Sequence, residues 1–207
     1  MTIRLTEKGI NGIIICENNN VEVVKTMEVS AIKKIVAMGV GAAIYIVLSR
    51  FVAIPTPVPN ITIQVTFAFL ALMAFIYGPV VAFGVGFIGH TISDITAYGS
   101  PWFSWIIATG FFGFAIGLLG KSIKIEGFNK SKIVRFIIGE LVICMITWGI
   151  IAPGLDIVMY KEPANKVFLQ GATAGIINGL AVAVLGTILI YGFSKTIVKE
   201  GSLKKEN

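Results

Sequence analysis

The stretch Phe67–Trp102 reads FAFLALMAFIYGPVVAFGVGFIGHTISDITAYGSPW, and its reading decides the fold. It stays largely apolar for longer than one membrane crossing needs, and Tyr77-Gly78-Pro79 is the natural break within it. Pro79 suits the first turn of a helix, where its missing N–H costs nothing. The spacing therefore predicts two consecutive membrane helices, at about residues 63–78 and 79–98, that turn at Gly78. Further windows near the roughly 17–25 residues that cross a bilayer fall at 32–54, 102–120, 132–152 and 167–194. Composition agrees: the chain is 56% hydrophobic and 14% charged, with a mean hydropathy of +0.87, whereas soluble domains carry about 25% charged residues. The expected fold is an all-α integral membrane protein, a compact bundle of six transmembrane helices over residues 32–196. A poorly defined extension (1–31) precedes it and a short tail (197–207) follows.

Lysine and arginine collect on the cytoplasmic side of membrane proteins. Here they cluster before the first span (Arg4, Lys8, Lys25, Lys33, Lys34), between the fourth and fifth (Lys121, Lys124, Lys130, Lys132, Arg135) and at the end (Lys195, Lys199, Lys204, Lys205). Of 17 such residues only Arg50, Lys161 and Lys166 fall on the other face, so both termini are expected in the cytoplasm. The net charge of +6 then reflects topology and contact with the inner leaflet of the lipid bilayer, and no nucleic acid is expected as a partner.

Polar chemistry concentrates at the opposite, outer end. The chain's single histidine, His90, lies four residues before Asp94 on one face of the third span. Ionisable groups at that depth are costly and face a protein interior or a wet cavity. Arg50 ends the first span, Asn60 and Gln64 flank the loop into the second, and Trp102 and Trp105 open the fourth. Trp148 lies a turn below the end of the fifth, while Gln170, Thr173 and Asn178 descend the sixth; Glu140 sits near mid-membrane. Interfacial enrichment of tryptophan and a local His90–Asp94 bond would account for part of this. An externally open pocket lined by flat aromatics and a few hydrogen-bonding groups is the other reading, and it suits a small, ring-containing polar solute. Its expected lining is Arg50, Asn60, Gln64, His90, Asp94, Trp102, Trp105, Trp148 and Asn178.

Small residues recur at helical spacing: Gly110, Gly113, Gly117 and Gly120 in the fourth span, Gly171, Gly175 and Gly179 in the sixth, and Ala37, Gly39, Gly41 and Ala43 in the first. Close backbone approach explains most of these. On the first helix such a stripe would also serve a docking partner. Gly120-Lys121-Ser122 resembles the end of a phosphate-binding loop, but Ala115 stands where its first glycine belongs and a membrane helix precedes it. Uphill transport by ATP would thus need a separate ATPase. Residues 1–31 hold two short apolar runs, read as a small hairpin or a frayed extension, with no secretory signal. Cys16 and Cys144 are expected to be free thiols, with neither disulfide nor metal site, and no cofactor is indicated.

The Phe67–Trp102 stretch, with its phenylalanine- and leucine-rich helix, Gly78-Pro79 turn and following Val-Gly helix, resembles the S components of energy-coupling factor (ECF) transporters. The resemblance extends over about 32–196 and is strongest to a branch with Ser49-Arg50-Phe51 and Ile54-Pro55 to Pro59 near the first loop. It implies a subunit that binds a vitamin or related micronutrient from outside, under a cap formed by that loop. A transmembrane coupling subunit and two ATPase subunits would complete the importer. It also implies docking through Ala37 and Gly41, or Gly39 and Ala43, a relaxed form of the family's Ala-x-x-x-Ala motif. His90 stands where many relatives carry an acidic residue.

Two other classes remain open from the residues alone. A stand-alone ion-coupled carrier could relay protons through Asp94 and Glu140, although no two-fold internal repeat is visible. An intramembrane enzyme could use His90 as a base beside a carboxylate, but no second histidine offers a zinc site of the usual kind, and no nucleophile motif accompanies it. The expectation is a transport protein and not an enzyme.

Overall fold

A computed structural model describes residues 20–197 of the chain, with side chains from residue 31 onward. Residues 1–19 and 198–207, which hold Cys16, most of the expected extension and nearly all of the tail, lie outside the described residues. The elements run α1 (Asn20–Phe51), β1 (Ile54–Pro55), β2 (Thr62–Ile63), α2 (Val65–Tyr77), α3 (Pro79–Tyr98), α4 (Phe103–Ile123), α5 (Lys130–Ile146), α6 (Ala152–Tyr160), α7 (Ala164–Ala181) and α8 (Thr187–Thr196). One π turn, Thr147–Ile151, joins α5 to α6, and another, Val182–Gly186, joins α7 to α8. Among the described residues the outcome is six helical rods. Five of them contain segments long and apolar enough to cross a membrane, and α2, at 13 residues, is shorter.

The break after Tyr77 forms as the sequence predicts. Gly78 adopts φ 84°, and Pro79 opens α3 at a position that needs no N–H. Other boundaries differ from expectation. The first helix begins at Asn20, within the stretch read as a hairpin or frayed extension. The loop after it is not plain coil: β1 and β2 pair antiparallel, Ile54 with Ile63 and Pro55 with Thr62, and Asn60 turns the chain at φ 64°. The largest difference is in the fifth span, expected to end at residue 152. The rod continues to Tyr160, because the π turn just before Pro153 absorbs the hydrogen bond and ring clash that proline brings to a helix interior.

Close approach of α3 and α4 organises the bundle. A Cβ on Gly117 would overlap the main chain of Pro79, and one on Gly113 would meet the Ala82 carbonyl oxygen at 2.6 Å. The small-residue stripe of α4 therefore faces inward. The core divides into two aromatic groups. Phe75, Phe128 and Phe136 meet edge to face near one end, whereas Phe67, Phe112 and Trp148 pack nearer the other. Two members of the second group, Phe67 and Trp148, line a cavity.

Candidate functional site

A cavity of about 550 Å³ opens at the end of the bundle where α1 and α3 finish and α4 begins. Its position follows from α2. Thirteen residues at a rise of 1.5 Å span about 20 Å, so α2 stops short of the ends of its neighbours and leaves space above its first turn. The β1–β2 loop crosses that space and is tied to α7 by two bonds. The Gln64 backbone N–H donates to Asn178 Oδ1 (2.8 Å), and Gln170 Nε2 donates to the Pro59 carbonyl (2.9 Å).

All nine residues expected from the sequence line this one cavity. Arg50, in the last turn of α1, and Asn60, at the loop's turn, are exposed contributors. Gln64 stands just before the first turn of α2 without capping it; its amide N–H donates to Thr62 Oγ1 (3.0 Å) and its amide oxygen accepts from the Thr66 hydroxyl (2.7 Å). Asn178 is buried with its carbonyl engaged by the loop. His90 Nδ1 lies 2.7 Å from Thr109 Oγ1 on α4, and Nε2 is 3.4 Å from Asp94 Oδ1. The other Asp94 oxygen accepts the Trp102 backbone N–H (3.0 Å), which pins the chain where it enters α4. Thus the His90–Asp94 pair has partners on α4 as well as on its own helix.

The three tryptophans fall into two stacks beside the cavity. Trp105 stacks on Trp148 with ring centroids 5.4 Å apart and planes at 23°, and Trp148 is held from behind by Phe67 at 5.0 Å. Trp102 stacks on Tyr160 at 4.2 Å and 25°. Trp148 is 1% exposed, so it is a floor residue and not an interfacial one. Its Nε1, like the Tyr45 hydroxyl, has no hydrogen-bond partner among the described residues, and both residues line the cavity. Such buried polar atoms are uncommon.

Asp156 escaped the sequence reading. It is 2% exposed and accepts hydrogen bonds from Trp102 Nε1 (2.7 Å), Trp105 Nε1 (2.7 Å) and the Ser104 hydroxyl. Ending the fifth span before Pro153 had placed it in a loop. The signal was present, because Trp148, Ala152, Asp156 and Tyr160 follow at four-residue spacing on one helical face. Tyr45, Ser49 and Ser93 were missed too; the two serine hydroxyls lie 2.7 Å apart across α1 and α3.

Ala37 and Gly41 do not face outward. Both are buried, and a Cβ on Gly41 would meet Val85 and Met73, whereas Gly39 and Ala43 are exposed and nothing lies within 4 Å of Gly39's Cβ position.

The profile of the family described as "ECF-type riboflavin transporter, S component" matches residues 29–195. The chain belongs to this S-component family. Full-length relatives agree in extent. A UPF0397 protein of Lactobacillus johnsonii is 49% identical over 178 residues, covering 85% of this chain and 96% of its own. One from Exiguobacterium is 51% identical over 176 residues (84% and 96%), and one from Clostridium perfringens 48% over 178 (85% and 96%). The S-component match thus reaches all six rods and includes the whole cavity lining. The family is one of transporter components, and the all-helical membrane fold agrees with it.

Proposed function

We propose that this S component captures a flat, ring-containing micronutrient from outside the cell, and that a coupling subunit with two ATPases drives its delivery inward. The observation that carries this reading is the stacked Trp105–Trp148 wall in a cavity of about 550 Å³, a volume within the range of small-molecule sites. Aromatic faces favour offset stacking with a planar ring. The polar groups around the wall, among them His90 and Gln64, would fix the ring's orientation by hydrogen bonds. Riboflavin, which the matching family's description names, is one such compound and belongs in the first panel. Arg50 at the rim is placed for an anionic substituent.

The cavity faces outward in the orientation that the lysine and arginine distribution favours, with both chain ends in the cytoplasm. Docking on the coupling subunit falls to Gly39 and Ala43, the small residues that α1 leaves exposed. The test is ligand identification on the detergent-purified chain. Protein expressed in rich medium is denatured, and the released compounds are read by mass spectrometry. One vitamin-like compound per chain is expected. An empty protein that also shows no thermal shift across a panel of vitamins, riboflavin included, would falsify the capture reading.

A further inference from the structure

Asp156 is a carboxylate with three donors and, among the described residues, no cation in salt-bridge range. A charge in an apolar membrane domain without a counter-ion is costly, so its placement calls for a reason. Its donors supply one. An indole has a single N–H, and a bond to it fixes the rotation of the ring about its side-chain axis. One carboxylate holds Trp102 through Oδ1 and Trp105 through Oδ2, each at 2.7 Å. Trp105 then lies against Trp148, itself wedged by Phe67. Trp102 lies against Tyr160, one turn beyond Asp156 on the same helix.

We infer that Asp156 is the positioning residue of the aromatic wall: it sets the planes of Trp102 and Trp105 and so determines which ring orientation the cavity accepts. Asparagine would not substitute, because its amide offers one acceptor oxygen and turns N–H groups toward an indole N–H. The effect on a ligand rests on the capture reading above; the effect on the indoles does not.

The chain contains three tryptophans, all in this cluster, so indole signals report on it alone. Near-ultraviolet circular dichroism of the purified, ligand-free protein should show a coupled band from the Trp105–Trp148 stack. Trp105→Phe should abolish that band. Asp156→Asn and Asp156→Leu should reduce it strongly at a temperature where helix content matches the unmodified protein. An unchanged band in both Asp156 variants, with only a lower melting temperature, would mean a purely structural role and overturn the proposal.

Should neither variant fold, the unmodified protein still decides. With isotope-labelled tryptophan, two indole N–H signals, assigned by Trp102→Phe and Trp105→Phe, should resist hydrogen exchange. Exchange of both at the rate of free indole would overturn it. With riboflavin as probe, Asp156→Asn should bind about tenfold more weakly, the scale of a lost aromatic contact; unaltered affinity in the folded variant would count against the assignment. If riboflavin does not bind the unmodified protein, its role as the ligand fails, while the spectroscopic arm still judges Asp156.

Discussion

His90 and Asp94 are neighbours on one turn of α3, yet each also has a partner on or at the start of α4: Thr109 for the imidazole and the Trp102 backbone N–H for the carboxylate. Removing both side chains therefore releases the entry of α4 as well as emptying one side of the cavity. His90→Ala combined with Asp94→Ala is expected to weaken ligand binding about tenfold or more, the equivalent of losing one or two hydrogen bonds, while membrane insertion persists. Equal affinity in titrations of the purified double variant would remove the pair from the site. The nine residues chosen from the sequence come together because polar side chains within apolar spans have few stable places to go. Asp156 was not legible in the same way. Its position depends on a π turn that carries the helix past Pro153, and proline in a sequence ordinarily marks an end.

At the scale of the element, α3 and α4 meet through glycine, and α1 offers its small residues to two different sides. Gly117→Ala would drive a methyl into the Pro79 main chain, which cannot swing aside as a side chain can. A loss of about 1–3 kcal/mol is expected from such overpacking, read as a lower unfolding temperature in detergent, whereas Gly39→Ala should be nearly silent. The outward face of α1 answers a different question. Gly39→Trp with Ala43→Trp should leave ligand retention intact and reduce co-purification with the coupling subunit; undiminished co-purification would move the docking surface elsewhere. Sequence spacing named both small-residue pairs on α1. Only packing against Val85 and Met73 tells them apart, since a stripe at four-residue spacing reads identically whichever way it is rotated.

For the whole molecule, the rod count and the break at Gly78-Pro79 were legible because hydropathy and proline chemistry act locally. The β1–β2 loop was not, since it is tied in place by Gln170 and Asn178, more than a hundred residues away. Orientation is the remaining global property. Reporters fused to either end should be active only as cytoplasmic fusions, and a fusion in the loop after Tyr160 should be accessible from outside; the reverse pattern would invert the cavity and sink outward capture. The shortness of α2 has an electrical consequence. Against a hydrocarbon core of about 30 Å, its rise of about 20 Å would, with the cavity open to the outside as proposed, place a captured solute up to roughly a third of the way across the membrane dielectric. A charged solute would then experience part of the transmembrane voltage on binding, roughly 0.8 kcal/mol per charge for each 100 mV, and an uncharged one would experience none. Cell polarisation would thus favour retention of cations over anions before any ATP is hydrolysed.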